Sequence, residues 1–153
     1  MFNLSVATAC DPFPFSALIV ANYVKDSLDV SISFDGSGCI LTRPDGTQIE
    51  GDESVVRTLA KASGTGSNST QVCNPVYGKG SELNSLQGEA LIALAKSLPS
   101  EKDFANLISS LDALDNRLAL RTFLDGKDIT IVDWLVWGAI KGMNNLNLIL
   151  LAF

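Results

Sequence analysis

Three cysteines and no histidine bound the chemistry open to this chain. Without an imidazole there is no Ser-His or Cys-His nucleophile, and the commonest general base and zinc ligand are missing. Cys10, Cys39 and Cys73 are odd in number, widely spaced and free of any CxxC pair. That pattern suits reduced thiols in a cytosolic protein better than a zinc site or a disulfide framework. Asp112 and Asp115 stand at i, i+3, the ordinary spacing of a solvated helix face and not a paired-carboxylate site. Glu53-Ser54 lies at the start of an apolar-periodic segment. A helix N-terminus with a hydroxyl suits a carboxylate ligand, although a plain helix start with an acid favoured by the dipole explains the pair as well. Thr130 and Asp133 are spaced as a capping box, with Asp in place of the usual Glu or Gln. They bring an acid into an otherwise dry helix, where only a capping role compensates its burial. No catalytic residue, metal site or cofactor is expected.

The 153 residues suit one domain or two small subdomains sharing a core, with 46% hydrophobic and 18% charged side chains. A net charge of −6 and the lack of a Lys/Arg cluster repel a phosphate backbone, so direct nucleic-acid binding is not expected. No basic stretch and apolar h-region follow Met1. The apolar stretches at 17–20 and 146–153 fall short of the roughly 20 residues that span a bilayer. The triplets Asn3-Leu4-Ser5 and Asn68-Ser69-Thr70 match glycosylation acceptors as chance often produces them.

Elements follow from periodicity. Phe2, Leu4 and Val6 alternate as a half-buried strand, Asp11-Pro12-Phe13-Pro14 breaks it, and Ser16 is placed to cap a helix over 17–24. Val30, Ile32 and Phe34 predict a second strand, and Arg43-Pro44-Asp45-Gly46 a hairpin between a third and a fourth. Asp52 is expected to cap a helix whose apolar face carries Val55, Val56, Leu59 and Ala60. The order is β-α-β-β-β-α. Residues 1–63 form this half, 64–76 a Gly/Ser/Thr-rich linker, and 77–153 a helical half. There Leu83, Leu86, Ala90, Leu91 and Leu94 make one stripe, ended by Pro99. Ser100 caps a second helix carrying Phe104, Leu107, Ile108, Leu111, Leu114 and Leu118, and Asp125-Gly126 closes that segment. The helix opened by Thr130 is apolar nearly all round, as befits the middle of a bundle.

This α+β order, with its Thr-x-x-Asp box, resembles the glutathione transferase fold: a thioredoxin-like half and a helical half. The run Phe123–Asp133 is similar to that family's signature, and Asp52-Glu53-Ser54 looks like the acidic-Ser helix start that holds the glutamyl end of glutathione. Leu120-Arg121-Thr122-Phe123 with Asp133–Ala139 looks more closely like the N-terminal appended domain of eukaryotic cytosolic glutamyl-tRNA synthetases. Val24-Lys25-Asp26 and Val30–Ser33 are similar to the bifunctional glutamyl-prolyl enzymes. The likeness covers roughly residues 2–142.

The resemblance implies a docking module in the cytoplasm. Its partner would be another transferase-like domain, on a tRNA-binding cofactor or a methionyl-tRNA synthetase, in a homo- or heterodimer within a multi-synthetase complex. Ligation chemistry would belong to a separate nucleotide-binding body, whose HIGH-type and KMSKS-type motifs are not in this sequence. A true glutathione transferase and a scaffold domain of another translation factor are the rival readings. Cys10 and Ser16 lie where transferases keep their activating residue, but Ser16 reads as a cap, and no cation neighbours Cys10 to lower a thiol from about 8.5. Cys39 takes the place of the family's cis-proline, which weighs against a thiol substrate. Residues 143–153 depart from the family's text, so the helical half is expected to be incomplete there. Trp134, Trp137 and Arg121 are the candidate docking residues, Arg117 a solvated cation at a helix end, and Glu53 with Ser54 a candidate remnant of the glutathione site.

Overall fold

Alternation decides the first strand. In β1 (Phe2–Val6) Leu4 and Val6 are fully buried, while Asn3 before them is exposed and Ser5 between them is only partly covered, so the strand turns one face to a core. The computed structural model describes residues 1–64, 82–124 and 129–143. The linker over most of its length, the Asp125-Gly126 turn and the segment beyond Met143 lie outside the described residues.

After β1 come α1 (Phe15–Val24), β2 (Val30–Ser33), β3 (Cys39–Thr42), β4 (Gln48–Glu50) and α2 (Asp52–Gly64). The strands form one mixed sheet of order β2-β1-β3-β4, with β2 parallel to β1 and the other two pairings antiparallel. The crossover from β1 to β2 runs through α1, as a parallel pair requires. The hairpin forms as expected. Arg43 N–H donates to the Thr47 carbonyl at 2.8 Å, Thr47 N–H donates to Asp45 Oδ1 at 2.8 Å, and Gly46 takes φ +85°. Gly51, at φ +91°, turns the chain from β4 into α2, a conformation that glycine adopts without a Cβ penalty.

The helical half contains α3 (Glu82–Ser97), a 3₁₀ turn at Leu98–Ser100, α4 (Phe104–Leu118) and α5 (Ile131–Gly142). The core joins Leu4, Val6 and Leu41 of the sheet to Val20 and Ala21 of α1, Val55, Val56 and Leu59 of α2, and Ile92, Val132 and Leu135 beyond. Full burial of each large aliphatic side chain stabilises by about 1.5–3 kcal/mol.

Four local expectations are corrected. Ser16 does not cap α1: the helix begins at Phe15 behind Pro14, and Ser16 is buried inside the first turn. Asp52 does not cap its own helix but reaches across to α1, where its Oδ1 accepts the Ala17 N–H at 2.6 Å. Gly51 supplies the carbonyl that takes the Val55 N–H at 3.0 Å. Asp103, not Ser100, caps α4, accepting the Ala105 N–H at 3.0 Å. Ser100 belongs to the 3₁₀ turn, and its hydroxyl donates to the Ser97 carbonyl. On α3, among the side chains described, Gly88, Ile92 and Ala95 are buried, Leu91 and Leu94 pack partly covered against the core, and Ala90 is exposed; the side chains of Leu83 and Leu86 lie outside the described ones.

Candidate functional site

The local chemistry of the α5 entrance places three of the predicted residues. Thr130, in extended conformation, accepts the Val132 N–H on Oγ1 at 3.3 Å. Asp133 Oδ2 accepts from the Thr130 N–H at 2.9 Å and from its hydroxyl at 3.0 Å, completing a capping box. The other oxygen, Oδ1, accepts the Leu124 N–H at 2.8 Å. From the far side, Arg117 Nε donates to the Leu124 carbonyl at 3.0 Å. Arg117 is therefore half-buried in a structural contact, and the expectation of a purely solvated cation is corrected.

Behind this entrance α5 divides two concavities. On one flank Leu135, Gly138 and Ala139 meet Pro12–Pro14, the start of α2 and the end of α3 around a cleft of about 320 Å³. Glu53 and Ser54 line it. Glu53 is committed: Oε1 accepts from Arg57 Nε at 2.8 Å, and Oε2 pairs with Lys96 Nζ at 2.5 Å. Partial burial opposes its charge, but the Lys96 and Arg57 hydrogen bonds outweigh that and hold the carboxyl below its ordinary range. Arg57 also makes a two-pronged contact with Glu89, at 2.9 and 2.7 Å. That contact first, then Glu53, raises the guanidinium pKa further above its usual value against a partial burial cost. Ser54 is exposed.

Asp52 also lines the cleft. Burial pushes its carboxyl up, partly offset by the neighbouring Ser16 hydroxyl and the Ala17 N–H. Ser16 Oγ lies beside that carboxyl with no well-formed hydrogen bond. Cys39 starts β3, half-buried. Burial first, then the charge of Asp52 and the nearness of Cys10, push its thiol up to about 12, so it stays protonated and unreactive at neutral pH. Cys73 is outside the described residues. Among those residues no cluster of three or more Cys, Asp or Glu could hold a metal, and no helix is long and apolar enough to cross a membrane.

On the other flank of α5, Trp134 and Trp137 join Ile19 of α1, Leu118, Leu124 and Ile140 around an apolar groove of about 430 Å³. Trp134 packs against Tyr23 at a 47° tilt with ring centres 5.7 Å apart, and its indole N–H is buried without an acceptor among the described residues. Trp137 meets Phe15 edge-on at 6.3 Å and remains 45% exposed. Arg121 is exposed on the connection between Leu118 and Leu124. The structure thus gathers the two tryptophans at one groove with Arg121 on the adjoining connection, and places Glu53 and Ser54 at the other concavity. Sequence reading named Asp52 with Glu53 and Ser54 but missed Lys96, which lines the cleft, and Arg57, which holds the Glu53 carboxylate. The i, i+4 spacing of Glu53 and Arg57 was a local signal for one of those contacts.

No protein-family model matches the chain. It is 31% identical over 146 residues to the Schizosaccharomyces pombe protein named "Probable glutamate--tRNA ligase, cytoplasmic", covering 93% of this chain and 20% of that protein. It is 30% identical over 134 residues to the bifunctional glutamate/proline--tRNA ligase of Cricetulus griseus, covering 88% of this chain and 8% of that protein. The chain therefore spans a fifth or less of these relatives. Among solved structures, a chain from two binary sub-complexes of the yeast aminoacyl-tRNA synthetase complex superposes with TM-score 0.66 at 20% identity, covering 99% of this chain and 78% of that one. An epsilon-class glutathione S-transferase of the housefly, Musca domestica, superposes with TM-score 0.67 at 13% identity, covering 99% and 87%. By sequence and fold together, this chain is a glutathione-transferase-like domain homologous to the appended domains of glutamyl- and glutamyl-prolyl-tRNA synthetases.

Proposed function

We propose that this domain is a non-catalytic docking module of a cytoplasmic glutamyl-tRNA synthetase, binding another transferase-like domain in a multi-synthetase assembly. The observation that carries this reading is the 31% identity to a glutamate–tRNA ligase across 93% of the chain. The partner would be a transferase-like domain of the tRNA-binding-cofactor or methionyl-tRNA-synthetase type. The two halves, 1–63 and 77–153, would act as one body across the 64–76 linker. Trp134, Trp137 and Arg121 are the proposed contact residues, since aromatic side chains and arginine dominate interface energetics. A stable interface of this kind covers roughly 800 Å² on each partner.

The rival reading, ligand binding at Glu53 and Ser54, is favoured by the cleft that both residues line. A ligand cation would have to displace Lys96 or Arg57 from the Glu53 carboxylate. One pair of measurements separates the readings: affinity capture from a cytosolic extract with the folded chain as bait, and retention on glutathione-agarose. Docking predicts recovery of a synthetase or a transferase-like cofactor without retention. Retention without such a partner overturns it.

A further inference from the structure

We propose that the outer edge of β2 takes an extended segment of a different protein as a fifth strand, one with a basic residue at each end. It involves no residue of the α5 groove. β2 ends the sheet order β2-β1-β3-β4, so among the described residues one side of it is unpaired. The phase of its pairing with β1 decides which groups face out. Phe2 N–H donates to the Asp29 carbonyl at 2.7 Å, and Phe2 stands opposite Val30. In a parallel ladder this turns the backbone groups of Asp29, Ser31 and Ser33 towards β1 and those of Val30 and Ile32 outwards. A row of outward N–H and C=O groups is matched in series by another extended backbone. Nothing blunts the row: the register with β1 is unbroken, and residues 29–35 hold neither Pro nor Lys, the usual protections of a sheet edge. Beside it Ile32 is 37% and Phe34 55% exposed.

The described residues that flank the rest of the chain lie elsewhere. α2, which leads into the linker, packs over β3 and β4 at the other end of the sheet order, and α3 packs on α5. Leu124 is fastened to Asp133 at the mouth of α5. Gly142, next to the C-terminal segment, sits by Pro12 and Phe13 ahead of α1, whereas β2 follows the end of α1.

Alternation and charge select the occupant. Asp29 and Asp35 fall on one parity of the strand, and Val30, Ile32 and Phe34 on the other. Both acids are exposed, and Asp26 adds a third at the entry. Asp35 accepts the Ser5 hydroxyl at 3.3 Å and meets no cation among the described residues. Against these acids stand Lys25, whose Nζ donates to Asn22 at 3.0 Å, and the N-terminal amine, 3.9 Å from Asp29 with both groups largely exposed. Antiparallel pairing of two copies about Ile32 would set Asp29 directly opposite Asp35, a like-charge pair that costs stability. The same register welcomes a lysine or arginine of a different chain opposite each acid, with its apolar residues opposite Val30, Ile32 and Phe34. The occupant is therefore a heterologous strand that alternates basic, apolar, polar, apolar, polar, apolar, basic.

The test titrates the full chain at low salt with fluorescein-labelled peptides of that pattern, read by anisotropy, one ending in lysines and the other in glutamates. The lysine peptide is expected to bind at least about tenfold tighter, the difference shrinking near 1 M salt, where charges are screened within about 3 Å. N-methylation of its apolar residues, whose N–H groups face β2 in the antiparallel pairing, should abolish binding. N-methylation of the intervening polar residues should leave it. Asp29→Lys with Asp35→Lys, both surface changes checked by circular dichroism, should reverse the charge preference. Ile32→Pro, which removes an outward N–H and no bond to β1, should remove binding with the fold kept. Equal binding of both peptides, binding of neither, indifference to which N–H groups are methylated, or self-association of the chain that Ile32→Pro abolishes overturns the proposal. None of these variants touches Trp134, Trp137 or Arg121, so partner capture reports on the docking module separately.

Discussion

Asp133 holds the N–H of Leu124 at 2.8 Å, and Arg117 holds the carbonyl of that same residue at 3.0 Å. The capping box therefore does more than start α5: it fastens the connection leaving α4 to the mouth of the next helix. Asp133→Ala removes the Thr130 and Leu124 contacts together. The expected loss is at least about 2 kcal/mol, the upper end for a cap, read as a lower urea midpoint at unchanged m. Asp133→Asn, which keeps acceptors without the charge, should lose less. An Asp133→Ala variant with the parent's midpoint would remove the box from the list of structural supports.

Gly138 of α5 packs directly on Ser16 of α1. A Cβ there would overlap the Ser16 hydroxyl and lie 2.8 Å from the Ser16 backbone nitrogen. Gly138→Ala should destabilise by about 1–3 kcal/mol, the usual range for overpacking. Adding Ser16→Ala removes only the hydroxyl clash, so the double variant should recover part of the loss. Full recovery would mean that the backbone at Ser16 yields freely.

Two neighbouring acids should respond to pH in opposite directions. Burial raises the Asp52 carboxyl above its ordinary value of 3.8, so the native state binds its proton more tightly than the unfolded chain. Its contribution is present below the unfolded pKa and is lost as pH rises through the folded one. Glu53 is lowered from 4.5, so its contribution is present above that value and lost as pH falls through the folded pKa. Asp52→Asn should match or exceed the parent at pH 7, with the difference vanishing in acid. Glu53→Gln should be less stable at pH 7 and lose less on acidification. Urea titrations from pH 3 to 7 read both, and the same sign for the two variants would contradict the assignment.

Cys39 should resist alkylation in the native protein. With its thiol pushed up to about 12, about one molecule in ten thousand is thiolate at pH 8. Iodoacetamide followed by peptide mass spectrometry should find Cys39 modified only after denaturation. Rapid native labelling would overturn the buried, protonated state.

What was legible in the sequence was what is local. The strand alternation of Leu4 and Val6, the Asp45-Gly46 turn and the Thr130/Asp133 box each act within a few residues, so spacing alone exposes them. Asp52 and Ala17 are 35 residues apart, and only the fold brings that carboxylate to the first turn of α1. A cap supplied from another helix leaves no trace in the sequence around the helix it caps. The burial of Gly88 and Ala95 on α3 was missed because neither carries much hydrophobic weight. The apolar circumference of α5 predicted a fully covered helix, yet Trp137 stays 45% exposed. The tryptophans were legible as candidates, but their shared groove depends on α1 and α4. Lys96 could not be assigned to Glu53 without knowing how α3 lies against α2.

The central claim is that this domain binds a protein and not a small thiol. Isothermal titration of the chain with a transferase-like domain from a tRNA-binding synthetase cofactor tests it, with glutathione titrated in parallel. The account predicts saturable one-to-one binding at about 1 μM or tighter, equivalent to roughly −8 kcal/mol, weakened at least about tenfold by Trp137→Ala and accompanied by no heat from glutathione. Saturation by glutathione with no heat from any such protein domain would contradict it.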